Sequence, residues 1–112
     1  SVYLEVGVGY GSDLETVETV TVEVATAVQK EVDGAKADWE PLVYYHTFGD
    51  SNIEFSVVLR VVSFEAQWAL KHRFIKELHR RYAREGIEIS FPVRRVEFSE
   101  PSRAPMRSEA AQ

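Results

Sequence analysis

An α+β fold with the element order strand, helix, strand, strand, helix, strand is what this sequence predicts, and three observations lead to it. Two aromatic-rich runs meet at a short polar turn in Tyr45-His46-Thr47-Phe48-Gly49-Asp50-Ser51-Asn52-Ile53-Glu54-Phe55, the signature of a β-hairpin. Segments with helical spacing of apolar residues flank that hairpin on both sides. Strand-like alternation opens and closes the ordered part of the chain. At 112 residues there is room for one core and one domain. The economical arrangement is a four-stranded antiparallel sheet with both helices on one face and the first and third strands in the centre.

The first strand follows from Val2, Leu4, Val6, Val8 and Tyr10, which alternate with Tyr3, Glu5, Gly7 and Gly9. Gly11-Ser12-Asp13 ends it, and Ser12 with Glu15 fits a capping box that starts a helix. Leu14, Val17, Val24, Ala25, Val28 and Val32 carry the helical period, against the strand-like, β-branched run from Thr19 to Val24. Length and the cap decide for helix. Asp33 to Asp38 reads as a loop. The second strand is expected at Leu42 to Phe48 and the third at Asn52 to Val62, where Ile53, Phe55, Val57, Leu59 and Val61 alternate with Glu54, Ser56 and Arg60.

A second helix follows the break at Ser63 to Ala66 and runs to about Glu85. Its stripe is read as Trp68, Ile75, Leu78 and Tyr82, widened by Leu70 and Phe74, with Gly86 as the stop. Ile87, Ile89 and Phe91 begin the last strand, which Pro92 interrupts and Val96 and Phe98 resume. The expected division is a domain over residues 1–98 and a polar, aperiodic tail over residues 99–112 that is disordered in isolation.

Composition narrows the function. No apolar run approaches the roughly 20 residues that span a bilayer, so no direct membrane insertion is expected. Cysteine is absent and Met106 is the only methionine, and a chain opening directly in a strand pattern reads as a piece of something longer. Nine carboxylates against two lysines fill residues 1–40, whereas six bases against two acids fill residues 66–86. An acidic chain, −5 overall, is a poor nucleic-acid binder. The asymmetry suits attraction between copies, or two solvated helix faces.

The motifs that could carry chemistry do not. Gly7-Val8-Gly9-Tyr10-Gly11 alternates inside a strand and lacks the spacing of a dinucleotide fingerprint. His72 and His79 are two turns apart, too far to share a metal, and His46 sits among strand aromatics. Asp50-Ser51 are ordinary turn residues. Central-strand Glu54 stands where an RNA-binding sheet of this order would place a stacking or basic residue. No catalytic residue, cofactor or metal is therefore expected. The reverse of the sheet is the informative surface. It would carry Tyr3, Gly7, Gly9, Val58, Arg60 and Val62, with some of Tyr44, His46 and Phe48, too apolar for a face meant only for water. Tyr3, Val58, Arg60 and Val62 form the candidate contact face for a partner.

Four segments in order carry a family resemblance. They are Val6-Gly7-Val8-Gly9-Tyr10 with Asp13-Leu14, the hairpin Phe48-Gly49-Asp50-Ser51-Asn52-Ile53-Glu54-Phe55, the helix from Trp68 to Gly86 with Ile87-Glu88-Ile89, and Phe91-Pro92 with Arg94 and Val96. Together they resemble the C-terminal domain of MscS-type small-conductance mechanosensitive channels, with Phe48, Gly49, Asp50 and Ser51 as the motif turn. The resemblance implies a ferredoxin-like domain, one per subunit of a homo-heptamer of identical subunits. In the family these domains form a cage on the cytoplasmic side of the inner membrane, through which solutes pass under osmotic stress. Transmembrane helices elsewhere in the same chain form the gate. Two departures stand out: Val93 where the family often has glutamine, and no apolar alternation in residues 99–112 to build a closing barrel. The alternative is a small-molecule-binding regulatory module of similar architecture.

Overall fold

Strand β3, Asn52–Leu59, is the axis of the molecule. The computed structural model describes residues 1–90. The expected continuation of the last strand and the polar tail lie outside the described residues. The elements are β1 (Val2–Gly9), α1 (Leu14–Glu31), β2 (Leu42–Phe48), β3 and α2 (Ala66–Glu85). β3 lies between β1 and β2 and pairs antiparallel with both. Beyond β1, Val8 makes an isolated antiparallel bridge with Ile89, supported by a bond from the Ser90 amide to the Gly7 carbonyl at 2.9 Å.

Both helices share one face. Val2 and Val8 of β1 and Phe55, Val57 and Leu59 of β3 point into a single core with residues of α1 and α2. Tyr45 of β2 meets Phe55 edge to face at 5.3 Å. Burying each such side chain stabilises by about 1.5–3 kcal/mol, so this side of the sheet carries most of the folding energy.

Helix α1 forms in spite of its β-branched run because that run supplies core residues: Val20, Thr21 and Val24 are buried, with Val17 and Val28 buried on either side. Its cap differs from the expected one. Asp13 is the N-cap, and its carboxylate accepts from the Glu15 amide at 3.1 Å and from the Thr16 hydroxyl. A carboxylate there also meets the positive end of the helix dipole.

The stripe of α2 is corrected as well. The buried positions are Ala66, Leu70, Phe74, Leu78 and Tyr82, a strict four-residue series that winds slowly around the helix axis. Trp68 and Ile75 fall off that line and are exposed, at 61% and 56%. Gly86 ends the helix at φ 74°, a left-handed conformation that favours glycine.

Strand β3 ends at Leu59, three residues earlier than the alternation suggests. Beyond it the chain changes partner. The Lys36 amide bonds to the Arg60 carbonyl and the Val62 amide to the Gly34 carbonyl. Gln29, fully buried in α1, holds this corner: its amide donates to the Lys36 and Arg60 carbonyls at 2.7 and 3.0 Å, and its carbonyl accepts from the Arg60 amide at 2.8 Å.

The opposite charges of the two helices meet inside the chain. Arg73 of α2 reaches Glu31 of α1 at 2.6 Å, and Arg81 reaches Glu23 at 2.7 Å. Arg81 is raised further above its ordinary value, first by the bond to Glu23 and then by that to Glu85. Part of the asymmetry read as attraction between copies, two acids and two bases, is thus engaged in the α1–α2 contact. That contact is closed in its interior by a hydrogen bond between the Thr21 and Tyr82 hydroxyls.

Candidate functional site on the reverse of the sheet

The side of the sheet away from the helices is built in rows by the strand register. Tyr3, Val58 and Leu42 form the first row, and Glu5, Ser56 and Tyr44 the second. Gly7, Glu54 and Thr47 form the third. Tyr3, Leu42 and Tyr44 are exposed large side chains, so the first two rows present an aromatic and aliphatic surface to their surroundings.

Of the four expected contact residues, Tyr3, Arg60 and Val62 are exposed, Tyr3 at 63%. Val58 is not: it is only 5% exposed and counts among the buried residues. Large neighbours explain it. Tyr3 and Leu42 flank Val58 in the cross-strand row, and directly opposed side chains shield one another. The Trp39 indole also bonds to the Val58 carbonyl at 3.0 Å. The Arg60 guanidinium lies 5.4 Å from the centre of the Trp39 ring, a cation–π contact. The structure therefore brings Tyr3 and Val58 side by side, while Arg60 and Val62 continue past the end of β3 toward the Gly34–Lys36 corner.

A polar network crosses the second row. The Ser56 hydroxyl donates to one oxygen of Glu5 at 2.6 Å, and His46 Nε2 meets the other at 2.9 Å. His46 Nδ1 contacts the Thr47 hydroxyl at 2.6 Å. The bond from Ser56, then those from His46, hold the Glu5 carboxyl below the usual range against the opposing effect of burial. The Ser56 hydroxyl and the His46 ring both bond to Glu5 and not to each other, so the carboxylate lies between them and the order differs from that of a serine–histidine pair.

A β-bulge makes the network reachable. Tyr45 pairs with Phe55 and Thr47 with Glu54, which leaves His46 as the extra residue. The bulge also moves Phe48 off the reverse face, to which the alternation had assigned it, into register with the buried Ile53. At the strand end Phe48 is nonetheless 84% exposed.

The hairpin turn Phe48-Gly49-Asp50-Ser51 is closed by the Gly49 amide on the Asn52 carbonyl at 2.7 Å. The Tyr10 hydroxyl bonds to the Gly49 carbonyl and ties the turn to the end of β1. Asn52, 2% exposed, donates from its side chain to the Ser90 carbonyl at 3.1 Å. Gly7 lies under this bond. A Cβ there would stand 2.5 Å from the Ser90 carbonyl oxygen and 2.6 Å from the Asn52 amide nitrogen. The glycine in the strand is a close-approach position.

Sequence reasoning missed Asn52, Gln29 and the bulge. Gln29 follows Ala25 by four residues, and that spacing is the only signal that could have placed it inward. His72 and His79 are exposed on α2. Among the described residues no three His, Cys, Asp or Glu side chains group as a metal site would require. No described helix is long and apolar enough to cross a membrane.

Residues 2–89 match the family described as "Mechanosensitive ion channel MscS, C-terminal". A protein of Archaeoglobus fulgidus described as an uncharacterized MscS family protein is 29% identical over 100 residues, covering 88% of this chain and 33% of its own length. The chain thus spans about a third of that curated relative. The cryo-electron-microscopy structure of wild-type AtMSL1 superposes with a TM-score of 0.58 at 11% identity, over 80% of this chain and 32% of the other. At that identity the likeness concerns the fold.

Proposed function

This chain belongs to the MscS C-terminal family of mechanosensitive ion channels, and from that premise we propose that it is a cytoplasmic domain of such a channel, part of the wall of a cage below the pore. In this role it carries out no catalysis and shapes the route by which solutes leave the cell when osmotic stress opens the pore. The full channel is a ring of identical subunits, seven on this proposal, anchored in the inner membrane by segments other than this domain. The fold in this reading is the complete ferredoxin-like one. The sheet of the described residues has three strands, and the isolated bridge between Ile89 and Val8 on the free side of β1 supports the reading that a fourth follows there.

One observation carries the proposal beyond family membership: an antiparallel sheet covered by helices on one face and bearing exposed Tyr3, Leu42 and Tyr44 on the other. A soluble monomer rarely leaves such a patch bare, whereas a wall element turns it toward other parts of its assembly. Tyr3, Arg60 and Val62 belong to that covered surface. Val58 is already buried within the chain.

The test is physiological. A longer protein carrying this domain, produced in bacteria that lack their own mechanosensitive channels, is expected to protect them from hypo-osmotic shock. It should also give tension-activated currents in membrane patches. Absence of both in a protein shown to reach the membrane overturns the proposal.

A further inference from the structure

Two flanks of the helix layer are left with unlike surfaces once the contact between α1 and α2 is closed. On α2, Arg73 and Arg81 face α1 through their ion pairs. The 100° helical step then places Trp68, Lys71, His72, Ile75 and His79 on the far side. Trp68 and Ile75 are exposed there, and the Lys71 ammonium rests 5.1 Å from the centre of the Trp68 ring. None of the three basic side chains enters an ion pair among the described residues.

On α1 the same construction puts Glu15, Glu18 and Val22 on the side away from α2. This flank lies toward β2, because the Tyr45 hydroxyl donates to the Leu14 carbonyl at 2.7 Å. Glu15 and Glu18 are exposed and, among the described residues, also outside every ion pair. One flank is thus apolar and basic, the other acidic with an apolar spot at its centre.

We infer that the α2 flank of one copy docks on the α1 flank of the next, with Trp68, Lys71 and Ile75 meeting Glu15, Glu18 and Val22. The inference rests on the channel reading above and names the contact between neighbours that such a ring needs. Acid on α1 against base on α2 is already how the two helices meet within one chain, through Glu23–Arg81 and Glu31–Arg73. The intermolecular contact repeats that sense and extends the helix layer sideways. The two flanks differ and lie on opposite sides of the domain, so the contact is heterologous and propagates from copy to copy. Two α1 flanks set Glu15 and Glu18 against their own copies and two α2 flanks set Lys71 against Lys71, so charge favours the unlike pairing over either like one.

The chain has no native cysteine, so cross-linking reports the contact directly. In the double variant Glu18→Cys/Ile75→Cys of the full 112-residue chain, a short bis-maleimide should give a ladder of dimer, trimer and higher species. Each single variant alone should give almost none, and an equimolar mixture of the two should stop at dimer. Both positions are exposed, and an unchanged circular-dichroism melt confirms the fold. Lys71→Glu should weaken association in sedimentation velocity by roughly fivefold, and mixing it with Glu18→Lys should restore the contact between the two altered flanks.

Three outcomes overturn the inference. They are rapid same-residue dimers from either single variant, no ladder above the single-variant background, and binding of this flank to phosphatidylglycerol vesicles with a Trp68-dependent fluorescence shift in place of self-association. Tension-activated current from the longer protein, measured separately, tells a failure of this contact from a failure of the channel reading.

Discussion

The two faces of the same three strands have different duties. On the helix side Phe55, Val57 and Leu59 are fully buried and their identities are fixed by packing. On the reverse side Glu5, Ser56 and His46 are held by a thin network of hydrogen bonds, Tyr3 and Tyr44 are exposed, and all contribute little to folding. Successive residues of one strand, about 3.3 Å apart along the chain, thus face a packed core and an open surface in turn. A substitution near the site is informative only once its face is known.

The sharpest way to break this comparison is to exchange weights across it. Phe55→Ala should cost about 3–5 kcal/mol in urea unfolding. Tyr44→Ala, one row away on the other face, should stay within about 0.5 kcal/mol. Comparable losses at both positions would mean that the reverse face is also a core.

Gln29→Ala tests whether a polar residue on the core side carries similar weight. It leaves the Arg60 amide without a partner, while the Lys36 and Arg60 carbonyls keep the Trp39 and Lys36 amides as donors, and a loss of about 1–3 kcal/mol is expected. Hydrogen exchange should speed first at Lys36 and Arg60. A neutral result would show that water replaces the side chain at this corner.

Tyr82 sharpens the comparison in pH. Burial pushes its hydroxyl up to about 12, against a smaller downward effect of the Thr21 bond. The neutral form is favoured in the fold, so this contribution is complete below the ordinary tyrosine value near 10. It is lost as pH rises toward 12. Tyr82→Phe should lower stability at neutral pH by about 1 kcal/mol, through the lost Thr21 bond, and flatten the alkaline limb of the unfolding curve. Tyr45 is also pushed up to about 12, first by burial and then by Glu18, so a remnant of that limb should survive.

The smallest effect belongs to the reverse face. Because Glu5 is held low by Ser56 and His46, its contribution is present above the ordinary glutamate value and fades as pH falls through the lowered one. Glu5→Gln should slightly reduce the loss of stability on acidification and leave the neutral-pH midpoint almost unchanged, since exposed pairs are weak. A large change at neutral pH would move this network into the stability of the fold.

Much of the fold was legible because alternation and helical spacing are local properties. Leu42–Phe48 was placed to the residue, and the α1 and α2 bounds within one. What local pattern could not resolve was choice among near-equal neighbours. Ser12 and Asp13 both offer a cap, and the carboxylate won. Trp68 and Ile75 are more hydrophobic than Ala66, yet only the four-residue series from Ala66 follows the line of contact. On the candidate site, Tyr3, Arg60 and Val62 were read as exposed, while Val58 was assigned by parity to a surface its neighbours had closed.

By itself the chain determined the elements of its described residues, the central place of β3 and the resemblance that proved to be its family. Those follow from periodicity and turn chemistry, which act over a few residues. Only the tertiary structure decided that a bulge at His46 would carry an imidazole to Glu5, that Gln29 and Asn52 would be buried polar clamps, and that the charges of α1 would be answered by α2. Each of these depends on groups between 31 and 58 residues apart. Such distances are set by how the layers stack and leave no periodic trace in the sequence.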